Sequence, residues 1–299
     1  MNRSARVGVV VITRDRREEL LRTLDRLADL PGPPPTVVVD NASCDGTAAA
    51  VAERHPWVRL VRAGANLGSV GRNVGVEALD TPYVAFCDDD TWWEPGSLER
   101  AADLLDAHPG LGSVTARLIV EPGGGEDPLT PELRHSPVPG PDWLPGPALL
   151  GVLAGVTVFR VRAFWQTGGF SRRLWMGGEE ELLALDLAAA GWWMCWDEDT
   201  VAHHAASPVR DPTRRRRLGI RNTLWTAWLR RPVDGAWRHT WSVLRSVPRD
   251  LSSAMAVAEA LGGLPWVLRE RAPVPPGVER GLRTLEAPRR ESRARRYVG

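Results

Sequence analysis

Three consecutive carboxylates, Asp88, Asp89 and Asp90, follow the apolar run Tyr83–Cys87 in the stretch YVAFCDDDTWW. Adjacent like charges repel, and each resists desolvation. A divalent cation removes both penalties, because hard cations take oxygen ligands. A solvated Asp-rich turn is the plainer reading of the same residues. Other polar groups recur where short apolar runs stop: Thr13 after Val7–Ile12, Asp40 after Val37–Val39, and the pair His203-His204 after the segment that begins at Trp192. A carboxylate placed like Asp40 can accept from a ribose hydroxyl or a base N–H, or it can form a turn. Asn66-Leu67-Gly68, followed by Gly71-Arg72-Asn73, brings backbone N–H groups and one guanidinium to a helix start. That combination suits a phosphate or diphosphate, with Arg72 as a plain surface charge the alternative. Glu179-Glu180-Glu181 opens a further helical segment and, taken alone, is an acidic N-terminus favoured by the helix dipole.

These groups need a scaffold that carries them to one place. Val7–Ile12, Val37–Val39, Trp57–Val61 and Tyr83–Cys87 read as buried strands. Between them lie helical patterns: Glu18–Leu30 with Leu20, Leu21, Leu24, Leu27 and Leu30 in register, Thr47–Arg54, and Gly68–Leu79. Strand and helix in alternation predict an α/β fold, Rossmann-like, with a mostly parallel sheet flanked by helices. In such sheets ligands bind at the carboxyl ends of the strands, which is where the polar groups stand. Further on, Leu98–Ala107 reads as a helix, Leu111–Val120 as a strand, and residues 121–147 as a long Gly- and Pro-rich excursion. Leu149–Arg160 is strand-like, Arg162–Gly168 a short helix, Glu179–Ala190 a helix stopped by Gly191, and Trp192–Trp196 a strand.

Hydrophobic residues make up 43% and charged residues 25% of the 299, the balance of a folded globular chain. The net charge of +1 hides a division: residues 1–200 hold 18 Arg against 29 Asp plus Glu, and residues 201–299 hold 20 Arg against 8. All 38 basic residues are Arg, so the choice of Arg over Lys at any one site carries little information. Three cysteines far apart make neither a zinc spacing nor a disulfide framework. The longest apolar run, Ala148–Phe159, has 12 residues, short of the ~20 that span a bilayer. The expected location is cytoplasmic, with a peripheral place on the inner face of the membrane as its extension.

Taken in order, VVVITRDR, VVVDNASCDGT, NLGSVGRNVG, FCDDD with Pro95 following, GGF, MGGEEELLALDLAAAGW and His203-His204 resemble the family 2 glycosyltransferases over residues 7 to 206. The resemblance implies a glycosyltransferase A-type fold, a nucleotide-sugar donor, a divalent Mn²⁺ or Mg²⁺ and inversion at the anomeric carbon. It places Thr13, Arg14 and Asp40 around the base and ribose, although the family often carries an aromatic ring where Arg14 stands. Arg72 falls near the base or diphosphate. Asp88, with Asp89 beside it, falls on the donor as the first carboxylate of an Asp-x-Asp motif. Asp90 is the second and falls on the metal, with His204, or His203, completing the metal shell. Glu180 takes the position of the catalytic base, one methylene longer than the usual Asp, and Glu179 or Glu181 would serve if the register slips. The acceptor is then a glycan or lipid-linked hydroxyl, in a cell-envelope setting.

The resemblance implies a catalytic region over residues 1–206; beyond it the composition changes, and residues 207–288 read as a helical basic region and 289–299 as a disordered basic tail. In the middle region Leu218–Leu229 and Gly235–Leu261 read as helices, the second kinked or divided at Pro248. Trp237, Trp241, Leu244, Leu251, Met255 and Ala258 share a stripe there, while Arg238, Arg245 and Arg249 lie off it. Three readings stand: a membrane-surface or lipid-pyrophosphate interface, a lid whose Arg groups fold over the donor, or a stripe packed as core. Two rival functions are a nucleotidyltransferase and a non-enzymatic polyanion or membrane-surface binder. The first needs a Gly-rich N-terminal phosphate loop, and TRDRREE has no glycine. The acidic front of the chain disfavours the second, and no nucleic-acid partner is expected.

Overall fold

The computed structural model describes residues 5–205 and 212–291. The elements run β1 (Val7–Thr13), α1 (Arg17–Ala28), β2 (Thr36–Asp40), α2 (Thr47–Arg54), β3 (Arg59–Arg62), α3 (Gly71–Glu77), β4 (Tyr83–Asp88), β5 (Thr91–Trp93), α4 (Ser97–Ala107) and β6 (Leu111–Val120). They continue with β7 (Gly125–Glu126), α5 (Thr130–Arg134), β8 (Thr157–Arg160), α6 (Val161–Gln166), α7 (Glu179–Ala189) and β9 (Trp193–His204). The C-terminal part is helical: α8 (Pro212–Arg230), α9 (Val233–Ser246), α10 (Leu251–Gly262), α11 (Leu264–Arg269) and α12 (Pro276–Glu291). The tail expected to be disordered from residue 289 is helical over its first three residues, the end of α12, and the rest of it lies outside the described residues.

One sheet orders the strands β3-β2-β1-β4-β8-β6-β9-β5, with β7 on β6. The first four are parallel, as the β-branched runs predict, and every residue of β1 and β2 is buried. The second half is mixed: β8 runs antiparallel to β4 and β6, β5 antiparallel to β9, and β9 parallel to β6. Helices cover both faces. Leu20, Leu24 and Leu27 of α1 pack with Ala101 and Leu105 of α4 on one face. Val76 of α3, Phe164 of α6 and Leu183 and Leu187 of α7 pack on the other. Leu282 of α12 joins that second core, so the last described helix returns to the sheet. Helices α8 to α11 build a third cluster around Ile220, Leu224, Trp225 and Val267, seated on Leu174 and Leu182.

Three local expectations need correction. Leu149–Arg160 is extended as a strand only over Thr157–Arg160; Ala154–Val156 is a 3₁₀ turn, because this backbone turns toward the site. The third strand begins two residues later than expected, at Arg59, on an exposed sheet edge where burial leaves no signature. Gly68–Val70 is a separate 3₁₀ turn before α3. The long helix does divide at Pro248, into α9 and α10.

Candidate active site

Register brings the polar strand ends together. Thr13 pairs with Asp40 across β1 and β2, Ile12 with Asp88 across β1 and β4, and Thr91 with His204 across β5 and β9. The three aspartates then point to different partners. Asp88 keeps the most exposed side chain and accepts from Arg72 at 2.5 Å. Arg72 is buried, with its guanidinium 5.4 Å over the Phe170 ring. Asp89 is buried and accepts from the Thr13 hydroxyl at 3.0 Å, while Arg16 pairs with it at 2.7 Å. Desolvation pushes the Asp89 carboxyl up to about 7 in spite of Arg16, and the charges of Asp90 and Asp88 push the same way. The second guanidinium arm of Arg16 reaches Asp90 at 2.7 Å.

Asp90 Oδ1 lies 3.6 Å from His204 Nε2, and the Asp90 side chain is 3% exposed. A carboxylate oxygen beside an imidazole nitrogen, at the carboxyl edge of the sheet, is a donor set that fits Mn²⁺ or Mg²⁺ once ligand oxygens complete it. Among the described residues, no group of three His, Cys, Asp or Glu side chains stands ready to hold a metal by itself. His203 faces elsewhere: its ring stacks on Trp92 at 5.5 Å, and Nδ1 meets Glu121 at 3.0 Å.

The acidic start of α7 lies across from Asp88. Glu180 Oε1 accepts from the Ala154 N–H at 2.5 Å. The next residue, Gly155, lies so close to Asp88 that a Cβ there would stand 2.9 Å from Oδ2. Glu180 is half-buried, and burial with the charge of Glu179 raises its carboxyl to about 7. Glu179 is buried, its Oε2 has no hydrogen-bond partner among the described residues, and burial raises its pKa as well. Arg72 opposes both shifts, so one guanidinium serves Asp88 and the α7 carboxylates together.

Two expected features are placed differently. Arg14 is exposed and pairs with its neighbour Asp15 at 3.3 Å. The backbone N–H groups of residues 67–69 are already engaged: Leu67 on the Asn41 side chain, Gly68 on the Asn66 side chain, and Ser69 on the Trp175 carbonyl. That loop is a clamped turn rather than an open anion cradle, and Arg72 is the group from this motif that reaches Asp88. Asp40 is buried and accepts from the Ser43 N–H at 2.8 Å, which shapes the turn after β2.

Residues 8–168 match the model of the family described as Glycosyl transferase family 2. The chain belongs to that family. It is 31% identical over 243 residues to the N-acetylglucosaminyl-diphospho-decaprenol L-rhamnosyltransferase of Mycobacterium tuberculosis, covering 68% of this chain and 78% of the relative. Its fold is similar to that of the mannosyltransferase PcManGT of Pyrobaculum calidifontis, solved with GDP-Man and Mn²⁺, at TM-score 0.60 and 21% identity over 99% of this chain and 86% of that one. It is also similar to S. aureus TarS residues 1–349 solved with UDP-GlcNAc, at TM-score 0.62 and 16% identity over 96% and 92% of the two chains. The fold is the glycosyltransferase A type, and the protein is a glycosyltransferase.

Three side chains of this glycosyltransferase carry weight that the sequence did not single out. Arg16 bridges Asp89 and Asp90. Trp175, at φ 63°, receives both the N–H and the hydroxyl of Ser69 on its carbonyl and donates its indole N–H to the Asn66 carbonyl at 3.1 Å. Asn222 of α8 is fully buried, and its amide donates to the carbonyls of Leu174, Met176 and Gly177. It thus pins the loop that leads into Glu179 and Glu180. The paired glycines Gly177 and Gly178 were the available signal, since both take φ near +80° against α8.

Proposed function

We propose that this glycosyltransferase inverts the anomeric centre, depends on a divalent metal, and moves a sugar from a UDP- or dTDP-sugar to a hydroxyl of a lipid-linked acceptor in cell-envelope glycan synthesis. The observation that carries the reading is the pairing of Glu180 with Ala154 and of Gly155 with Asp88, which sets a carboxylate of raised pKa opposite the donor edge. The acceptor class rests on the relative's name, which specifies a diphospho-decaprenol substrate. The metal is supported by the donor chemistry of Asp90 and His204 and by the Mn²⁺ in the mannosyltransferase structure.

Glu180 removes the acceptor hydroxyl proton as that oxygen attacks the anomeric carbon. The new C–O bond forms as the bond from that carbon to the diphosphate breaks, and the electron pair leaves with the diphosphate. A carboxyl that titrates near neutrality suits this step, because it is ionised often enough to act and basic enough to take the proton. Arg72 holds Asp88 toward the donor and places positive charge between the donor edge and α7. Thr13 and Asp40 line the base and ribose side at the ends of β1 and β2, with Arg14 at its solvent rim and Asp89 tied back to Thr13. Asp90 and His204 would hold Mn²⁺ or Mg²⁺, which when bound neutralises the departing diphosphate as a Lewis acid.

Thermal unfolding with a panel of nucleoside diphosphates, with and without Mn²⁺, tests the reading. A stabilisation by UDP or dTDP that needs Mn²⁺ and is lost in Asp90→Ala is expected. Stabilisation by GDP alone, or a Mn²⁺-dependent shift that survives in Asp90→Ala, would overturn the donor or the metal assignment respectively.

A further inference from the structure

Ten large hydrophobic side chains are strongly exposed among the described residues, and eight of them lie between Val233 and Leu268. Val233, Trp237, Trp241 and Leu244 fall at i, i+4, i+8 and i+11, one narrow stripe at ~100° per residue. Trp237 and Trp241 are 60% and 61% exposed. The opposite side of α9, with Gly235, Ala236 and Val243, is the buried one. In α10 the same division holds: Ser253, Ala256 and Ala260 are buried, while Leu251, Met255 and Leu261 face out. The Trp stripe is therefore not core, and of the three readings of this region that one is set aside.

The charges beside the stripe are asymmetric. Asp250 is paired with Arg216 at 2.5 Å, Glu259 with Arg217 at 2.8 Å, and Asp234 with Arg238 at 2.7 Å. Arg216 and Arg217 of the basic run thus neutralise the acids at the start of α10 and within it, while Arg214 lies over the Trp175 ring. Arg245 lies 5.2 Å over the Trp241 ring, and no described carboxylate pairs with Arg245 or Arg249. The helices end up with paired acids, unneutralised guanidinium groups and outward tryptophans. Trp favours the level of lipid headgroups, and Arg beside it is attracted to anionic lipid.

We propose that the outward faces of α9 and α10 dock this protein on an anionic phospholipid bilayer, with Trp237 and Trp241 inserted at the headgroup level and Arg245 and Arg249 on lipid phosphates. The proposal extends the lipid-linked-acceptor reading and is measured without any sugar transfer, so either can fail alone.

The test is flotation of the full chain with phosphatidylcholine vesicles and with phosphatidylcholine–phosphatidylglycerol vesicles, beside sedimentation without lipid. Binding to the anionic vesicles only is expected. Trp237→Ala/Trp241→Ala should lower the partition by about tenfold. Arg245→Gln/Arg249→Gln, which leaves the tryptophans in place, should lower it by about fivefold per Arg at low salt. Absence from the anionic vesicles, or binding unchanged in both double variants, overturns the proposal. So does a dimer in solution that the Trp237→Ala/Trp241→Ala variant dissociates, because a second copy then covers the stripe.

Discussion

Glu180→Gln should make this enzyme more stable and inactive at once. Gln keeps the length of the side chain and an oxygen that still accepts from the Ala154 N–H, so the loop contact at 2.5 Å survives. What disappears is a carboxylate whose pKa is raised from 4.5 to about 7 by burial and by the charge of Glu179. A raised carboxyl pKa means that the folded state resists ionisation. Its cost is nearly absent below about pH 4.5, grows as pH rises toward 7, and is constant above that. At ~1.36 kcal/mol per unit, Glu180 costs up to about 3 kcal/mol at pH 8. Removing it should raise the unfolding temperature at pH 8 by on the order of 5 °C, and much less at pH 5. Turnover should fall by about 10²–10⁴, the worth of a general base, with nucleotide affinity unchanged. In the wild type, kcat/KM should rise with pH through about 7 as Glu180 ionises. Thermal unfolding across pH and single-turnover transfer measure both arms. A variant no more stable at pH 8 than the wild type would refute the burial argument. Retained turnover would move the base to Glu179 or Glu181.

Arg16→Gln should cost about 3–5 kcal/mol in urea unfolding, because it leaves two buried carboxylates without their shared cation; added Mn²⁺ should restore part of that loss. Gly68→Ala introduces a Cβ against the Trp175 carbonyl and ring at φ +60°, so it should cost about 1–3 kcal/mol and weaken nucleotide binding measured by calorimetry. Asn222→Ala takes a donor from the Met176 and Gly177 carbonyls, while Leu174 keeps the Met176 N–H, and should lower turnover more than nucleotide affinity, with faster proteolysis near Trp175–Gly178 as the structural readout.

The parallel half of the sheet was legible because its strands are buried on both faces and read as unbroken apolar runs, as at Val37–Val39. The strand-end chemistry followed from the same fact, since Asp40 and Asp88 stand where those runs stop. Short elements with little burial left no such trace. Strand β5, three residues beside His204, hid inside the carboxylate motif, and β3 was shifted on its exposed edge. Within the site, residue types were readable and partners were not. Nothing local says that Arg16 will span Asp89 and Asp90 across 74 positions, or that Leu67, Gly68 and Ser69 will spend their N–H groups on the protein. Periodicity gave the Trp237/Trp241 stripe, but only packing on α8 decides which side of α9 is covered.

The peg that Asn222 drives into the loop before Glu179 bears on how such enzymes can be recombined. A chimera that joins this catalytic sheet to another relative's C-terminal helices at residue 206 would inherit Gly177 and Gly178 from one parent and the side chain that grips them from the other. Leu282 returning to the sheet core adds a second seam to match. A working exchange of the C-terminal helices between relatives therefore has to carry Leu174–Gly178 together with α8, as one inherited block.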